Sequence, residues 1–581
     1  MKQDCDRGVQ KMTKWPLRAS VALACALAPS MAMASPQPFQ LCDGYGTPTQ
    51  NGDGMTKEAT GLFGLFAPLG SAGNTRRSTP VLGASGMAAC DEALADPRLL
   101  DKQWLRRASL IRARAMHDLA AANPDQALID LDRAQAAIRT PDDPYIRRSL
   151  GLGIKLVRAF ALRSKGDMAG ATAILKSVWA ERRFSRQIGL AVIAILGDDT
   201  ASLDGEPVVR ALARLEPRVI DLIYLSAFDH GDFAQIVTLF PQLVPPVKTG
   251  DIGVSNAIAS MQETQAGGRD LIFAADRRGR LAYALAALGR SEAAKAALLD
   301  AQHYLTDHIP AEMPPPAPDT KEGSKARLAR AMNGYLIRSG AQARARLEVW
   351  QGIVDLRLAL ASDATTVTVD RFMKASLSPD GATLDLLKTM RAKNPHDAGL
   401  DRAIETLEAR LFSHPQPSGT EVKVLFEAMP HTEIGQRIPT YRTANSAFIG
   451  YLWGGVSGFK TITNTADGTT TVRFVGEQAS ASVVEEMTLL RAADLARETG
   501  KSGIVIRSRR DYQRTRNTTY YGSVIRSDPL GYSSELDIEF VDLKALPERY
   551  RDVPWRALPV DDVIADLGPT YMAPPAAQPT H

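Results

Sequence analysis

The sequence predicts a multi-domain, mainly α protein: an irregular α-solenoid of helical hairpins, then a small α+β domain of ββαββ order. Three observations carry that expectation. From Cys90 to Phe412 the chain is dominated by Ala, Leu, Arg and Glu in amphipathic stretches separated by turn signals. From Val422 the pattern changes to period-two alternation and turn dipeptides. Between them lies the proline-rich run "FSHPQPSGTE", Phe412–Glu421, so 413–421 reads as a linker. At 581 residues, 45% of them hydrophobic and 23% charged, the chain can bury such cores, and the composition excludes bulk disorder.

Residues 1–34 read as a signal peptide. Lys11, Lys14 and Arg18 precede the apolar run "ASVALACALAPSMAMA", and Ala32-Met33-Ala34 places small residues where a signal peptidase reads, so cleavage after Ala34 is expected. The run of about 16 residues, with Pro29 inside it, falls short of the ~20 needed to span a bilayer. The expected location is therefore the periplasm or cell envelope. Processing would remove five basic and two acidic residues and take the formal charge from +4 to +1, too little to point to nucleic acid.

Of four cysteines, Cys42 and Cys90 survive cleavage, an even pair in an exported chain that is expected to form a disulfide. His117, the nearest histidine, stands alone in the sequence, so neither a metal nor another cofactor is expected. Residues 35–89 read as an irregular Gly-rich segment with one apolar knot at Leu62–Phe66.

Within 90–412, four stretches share one design. "AFALRSKGDMAGATAILKSV" sets Ala159 and Leu162 before Gly166-Asp167, with Ala171, Leu175 and Val178 after it. "LAYALAALGRSEAAKAALLDA" repeats this around Gly289, residues 116–134 turn through Asn123-Pro124, and residues 224–243 keep Gly231-Asp232. Alanines let helices cross closely, and a glycine ends the first helix in the left-handed region. These stretches resemble tetratricopeptide repeats, although their turns at Ala122, Gly166, Gly231 and Gly289 are 44, 65 and 58 residues apart rather than the ~34 of that family. The resemblance implies a non-catalytic surface that binds a protein or peptide in its helical groove. "IPAEMPPPAPDTKEGSK", Ile309–Lys325, reads as an extended exposed loop.

In the C-terminal part, 422–566, Asp467-Gly468 between Thr- and Val-rich runs signals a hairpin. A helix over Ser482–Thr499 follows, then a strand around Ile504–Arg507 and another with Leu536, Ile538 and Phe540 on one face. Leu489, Leu490, Ala493 and Ala496 form the apolar arc that would cover the sheet, with Glu485 and Glu486 on ordinary helix surface. Val472, Phe474, Gly476, Leu489, Leu490, Arg491, Ala492, Ala493 and Leu495 resemble, in order, a small bacterial envelope domain usually carried by lipoproteins; the resemblance implies an envelope location and no assigned activity. Residues 567–581 read as a disordered tail.

The letters GKS at Gly500–Ser502 end a phosphate-binding loop in other proteins, but here a helix precedes them and a strand follows, the reverse of what that loop needs, so Gly500 reads as a helix C-cap. Arg507, Arg509, Arg510, Arg514 and Arg516 crowd beside Tyr512, Tyr520 and Tyr521. They form either a weak site for anionic ligands or a solvated hairpin paired with Glu535, Asp537 and Glu539. "FIGYLWGGVSGF", Phe448–Phe459, reads as a buried loop, with membrane association compatible but not required. Ser85 lacks the setting of a nucleophile elbow, and no catalytic set is evident. The favoured expectation is an exported, non-enzymatic, protein-binding scaffold; the alternatives are an envelope hydrolase with a site between the domains and anion binding by the Arg/Tyr hairpin.

Overall fold

Helix ends set the architecture. At Gly166, Gly231 and Gly289, with φ of 84°, 72° and 74°, the chain enters the left-handed region that glycine adopts without a Cβ penalty. Each turn closes with the same two bonds: Asp167 N–H donates to Leu162 O and Gly166 N–H to Arg163 O, and the pairs Asp232/Ala227 with Gly231/Phe228 and Arg290/Leu285 with Gly289/Ala286 repeat it. This is the Schellman closure. The aspartate after the glycine then caps the next helix: Asp167 accepts from Gly170 N at 2.8 Å and Asp232 from Gln235 N at 3.1 Å. Ala122 makes the same turn at φ 58°, with Asn123 as the following cap.

We describe a computed structural model covering residues 38–48, 82–196, 208–243, 257–316, 323–362, 366–375, 380–411, 422–423, 425, 441, 458–464, 468–476, 480–520 and 523–572. The expected signal peptide, the Leu62–Phe66 knot, the expected 413–421 linker and most of Phe448–Phe459 lie outside it. The described helices are α1 (Pro38–Asp43), α2 (Ala84–Ala95), α3 (Trp104–Ala120), α4 (Pro124–Ala136), α5 (Leu152–Ser164), α6 (Met168–Glu181), α7 (Arg186–Leu196) and α8 (Val208–Leu215). They continue as α9 (Ile220–Asp229), α10 (Phe233–Leu239), α11 (Ala257–Ala287), α12 (Ser291–His308), α13 (Ser324–Ser362), α14 (Thr366–Ala375), α15 (Gly381–Lys393) and α16 (Ala398–Leu411). The four expected hairpins are α3/α4, α5/α6, α9/α10 and α11/α12. No described helix is long and apolar enough to cross a membrane.

The long helices α11 and α13 lie against each other because Gly279 leaves room for the Trp350 ring: a Cβ there would stand 2.1 Å from it. Trp350 Nε1 donates to Asp276 at 2.7 Å, and Phe228 and Tyr283 complete an aromatic core. The loop after α12 is extended and exposed over 311–316, as expected, and is held by Asn333 and Arg330 through the carbonyls of Ala311 and Met313.

The C-terminal part is an antiparallel sheet of order β1-β2-β4-β3-β5, with β1 Gly458–Asn464, β2 Thr469–Gly476, β3 Gly503–Tyr520, β4 Ser523–Val541 and β5 Leu558–Pro559. The hairpin signal at Gly468, φ 71°, joins β1 to β2 with Asn464 opposite Thr469. Helix α17 (Ala481–Glu498) covers the sheet, and α18 (Val560–Tyr571) packs on α17. At its end Gly500, φ 70°, makes the expected C-cap, with Lys501 N–H on Ala496 O and Gly500 N–H on Arg497 O.

Three boundaries differ from the sequence reading. The 35–89 segment begins with α1 and ends inside α2, whose Cys42 and Cys90 are disulfide-bonded. The tail does not begin at 567, because Leu567 and Tyr571 are buried in α18. Strands β3 and β4 are far longer than predicted and pair from Gly503/Val541 to Tyr520/Ser523.

Candidate functional site: buried charges between the helical region and the sheet

Glu485 and Glu486 are not surface residues. They are 5% and 0% exposed, because α17 is covered by the sheet on one side and by α7 and α18 elsewhere. An amphipathic arc is enough to place a helix on a sheet, but it does not reveal that a second partner covers the polar face. Burying a carboxylate is costly unless charge and hydrogen bonds compensate, and the helical region supplies both.

Arg182, just past the end of α6, meets Glu486 in a bidentate pair, Nε to Oε1 at 2.7 Å and Nη2 to Oε2 at 3.0 Å. Arg148 Nη2 donates to Oε1 at 3.2 Å, and the Tyr571 hydroxyl donates to Oε2. Arg148 lies in a π-helical turn, Arg147–Gly151, immediately before α5; such turns redirect side chains. The two arginines also satisfy backbone carbonyls: Arg148 Nη1 donates at 2.8 Å to Glu181 O, at the end of α6, and Arg182 Nη1 at 2.9 Å to Arg148 O, within the π-helical turn. Burial pushes the Glu486 carboxyl up, but Arg182 and Arg148 outweigh it and hold the group below its ordinary range.

Glu485 has the opposite balance. Burial raises its pKa, Arg509 at 3.3 Å lowers it, Asp511 raises it again, and the carboxyl sits above its ordinary range. Arg509 reaches across to Leu215 O at 3.3 Å, and Arg556 to Ala213 O at 2.6 Å, so two guanidiniums from the sheet domain cap the C-terminal carbonyls of α8. Burial drives Arg556 down to about 10.

Neighbouring carboxyls pushed in opposite directions are a pattern found in acid–base sites. Room for substrate is another requirement. The cleft here, lined by Tyr145, Arg148, Ser149, Arg182 and Tyr571, is about 20 Å³, space for about one water molecule. What this arrangement can do is hold two folded regions in one orientation.

The arginine cluster divides. Arg510 pairs with Glu535 and, at 3.0 Å, with Asp537; Arg507 pairs with Glu539 at 3.4 Å. That is the solvated-hairpin arrangement. Among the described arginines of the cluster, Arg509 turns into the domain interface. Tyr512 is exposed, whereas Arg514 and Arg516 lie on β3 with side chains outside the described set. The GKS stretch follows α17 and precedes β3, the reverse of a phosphate-binding loop.

One further expectation is corrected. His117 is not isolated: its Nε2 lies 2.7 Å from Cys42 O, beside the disulfide, because α3 runs past both bridged helices. Sequence distance concealed this, since 75 residues separate His117 from Cys42. Compared with known protein families, characterised proteins and solved structures, the chain shows no match to any of the three.

Proposed function

We propose that the protein is an exported, non-enzymatic scaffold of the cell envelope, in which the hairpins form an irregular solenoid that binds another protein and the sheet domain is held in fixed orientation at its side. The observation that carries this reading is the partnering of the buried charges: Glu485, Glu486, Arg148, Arg182 and Arg509 are bonded to one another or to helix-end carbonyls. A rigid frame is what a binding surface needs, since ordering the surface beforehand lowers the entropic cost of association. The partner surface is assigned to the helical region, where Phe273 and Leu299 on consecutive helices are 54% and 53% exposed.

The test is affinity capture by the mature chain from an envelope extract, followed by calorimetry with the identified partner. Phe273→Ser and Leu299→Ser should weaken that binary affinity at least about tenfold without changing the circular dichroism, while Arg510→Ala should leave it unaltered. Wild-type affinity in both apolar variants would sink the helical-surface assignment.

A further inference from the structure

Asp118, in the last turn of α3, and Asp130, inside α4, are 1% and 0% exposed. One guanidinium serves both: Arg114 Nη1 donates to Asp130 Oδ2 and lies 3.5 Å from Asp118 Oδ2, while its Nε donates to Asp91 on α2 at 2.7 Å. Arg133 takes the other oxygen of Asp130 at 2.9 Å. Three carboxylates thus face two guanidiniums, so the fully ionised cluster keeps one uncompensated negative charge. Of the other helices packed on α3, α1 brings Asp43, bonded to Arg106, and α5 brings Lys155, Arg158 and Arg163, with Arg158 on Asp132 and Arg163 on Ala194 O. Asp118 also sits at the negative end of its helix dipole, which disfavours a charged carboxylate. Its Oδ2 is buried without a hydrogen-bond donor among the described residues. What the cluster lacks is a donor that cancels one charge, and a proton is both. Asp118 and Asp130 lie within hydrogen-bonding reach of each other, and two carboxyl groups can bond only when one is protonated.

We propose that Asp118 and Asp130 form a proton-operated latch, a carboxylic acid bonded to a carboxylate, that holds the α3/α4 hairpin closed in mild acid and loosens it when the proton leaves. The step is one proton passing from Asp118 to water as pH rises. The bond to Asp130 is then lost, and two buried carboxylates are left to repel each other beside Arg114. Burial pushes the Asp118 carboxyl up to about 6, with Arg114 lowering it and Asp130 and Asp91 raising it. Because this folded value lies above the ordinary 3.8, the latch contributes stability that is complete below 3.8 and is lost as pH rises through about 6. The latch stands beside the turn of the hairpin: Asp118 O accepts from the N–H groups of Ala121 and Asn123, on either side of the left-handed Ala122. Proton release therefore acts where α4 is hinged to α3. The inference stands apart from the scaffold reading, since it concerns charges enclosed by α2, α3 and α4.

The experiment is hydrogen exchange in α3 and α4 of the full mature chain, corrected for intrinsic exchange and followed from about pH 5 to about pH 7.5 in wild type, Asp118→Asn and Asp91→Asn. Over that interval the opening constant of the hairpin should rise about tenfold more in wild type than in Asp118→Asn, as a group moved from 3.8 to about 6 requires. Asparagine stands in for the protonated acid, so Asp118→Asn should match or exceed wild-type protection at the upper pH. The Asp91 side chain is 60% exposed, so Asp91→Asn leaves the packing intact and keeps the test open where Asp118→Asn does not fold. Removing that charge should move the midpoint of the wild-type step to lower pH. An equal rise in wild type and Asp118→Asn, wild-type protection that does not fall as pH rises, or a midpoint that Asp91→Asn leaves in place would each overturn the proposal.

Discussion

Glu486→Gln is the sharpest perturbation of the interface between the helical region and the sheet domain. The replacement keeps the shape of the side chain and removes its charge, leaving Arg148 and Arg182, 8% and 3% exposed, without their shared counter-charge. Removing one partner of a buried pair costs about 3–5 kcal/mol, which is roughly two to three and a half orders of magnitude in the docking equilibrium at 1.36 kcal/mol per tenfold. The pH dependence follows from the direction of the shift. The folded-state pKa of Glu486 lies below its ordinary 4.5, so its stabilisation is present above that value and is lost as pH falls through the folded pKa. Wild type and variant should therefore differ most near pH 7 and converge in acid. Glu485 has the opposite sign: its folded pKa is raised, so its contribution is present in acid and lost as pH rises through that pKa. Glu485→Gln should accordingly cost less at pH 7 than Glu486→Gln, because Arg509 keeps Asp511 at 2.7 Å. Urea unfolding together with hydrogen exchange in α17 and α18 reads both effects. A loss below about 1 kcal/mol for Glu486→Gln, or a gap that persists in acid, would refute the reasoning.

Other predictions concern turns and the N-terminal bridge. Gly500→Ala should lower stability by about 1 kcal/mol through φ alone, since an added Cβ meets nothing within 4 Å, whereas Gly231→Ala should cost more because its Cβ would lie 2.5 Å from Ala382 N; thermal melts that rank them the other way would reject this. Lys501→Ala should change stability by only a few tenths of a kcal/mol, and ATP binding by the wild type that this variant abolishes would overturn the C-cap assignment. Ala122→Gly should be neutral or stabilise by up to about 1 kcal/mol, since it relieves a left-handed alanine; a clear destabilisation would show that the turn is not strained. If the expected cleavage after Ala34 occurs, mass spectrometry of protein purified from the envelope fraction should find Ser35 at the N-terminus; it should also find no free thiol before reduction, and two thiols would contradict the bridge.

The sequence already contained most of the local structure. All four turns were legible because left-handed backbone favours glycine and helix starts favour Asp and Asn, preferences that act over four or five residues. The β1/β2 hairpin, the α17 cap and the disulfide were legible for similar reasons: turn chemistry, and an even count of cysteines after the expected cleavage point.

Tertiary structure decided the rest. Arg507, Arg509 and Arg510 look equivalent as letters, and in a regular strand Arg507 and Arg509 would share a face. A register shift between Ile506 and Ser508 makes Arg507 the extra residue of a bulge. Alternation is reset there, so Arg509 points into the interface while Arg507 and Arg510 face solvent. Nothing in the letters specifies that bulge. Glu485 and Glu486 are likewise indistinguishable by type, yet one meets two arginines and a tyrosine and the other meets an arginine beside an aspartate, so their pKa values move apart. Helix periodicity says which residues can share a face; only the docking of a second region 300 residues away in the chain says what that face will meet, because long-range burial and ion pairing are properties of the assembled surface rather than of any window of sequence.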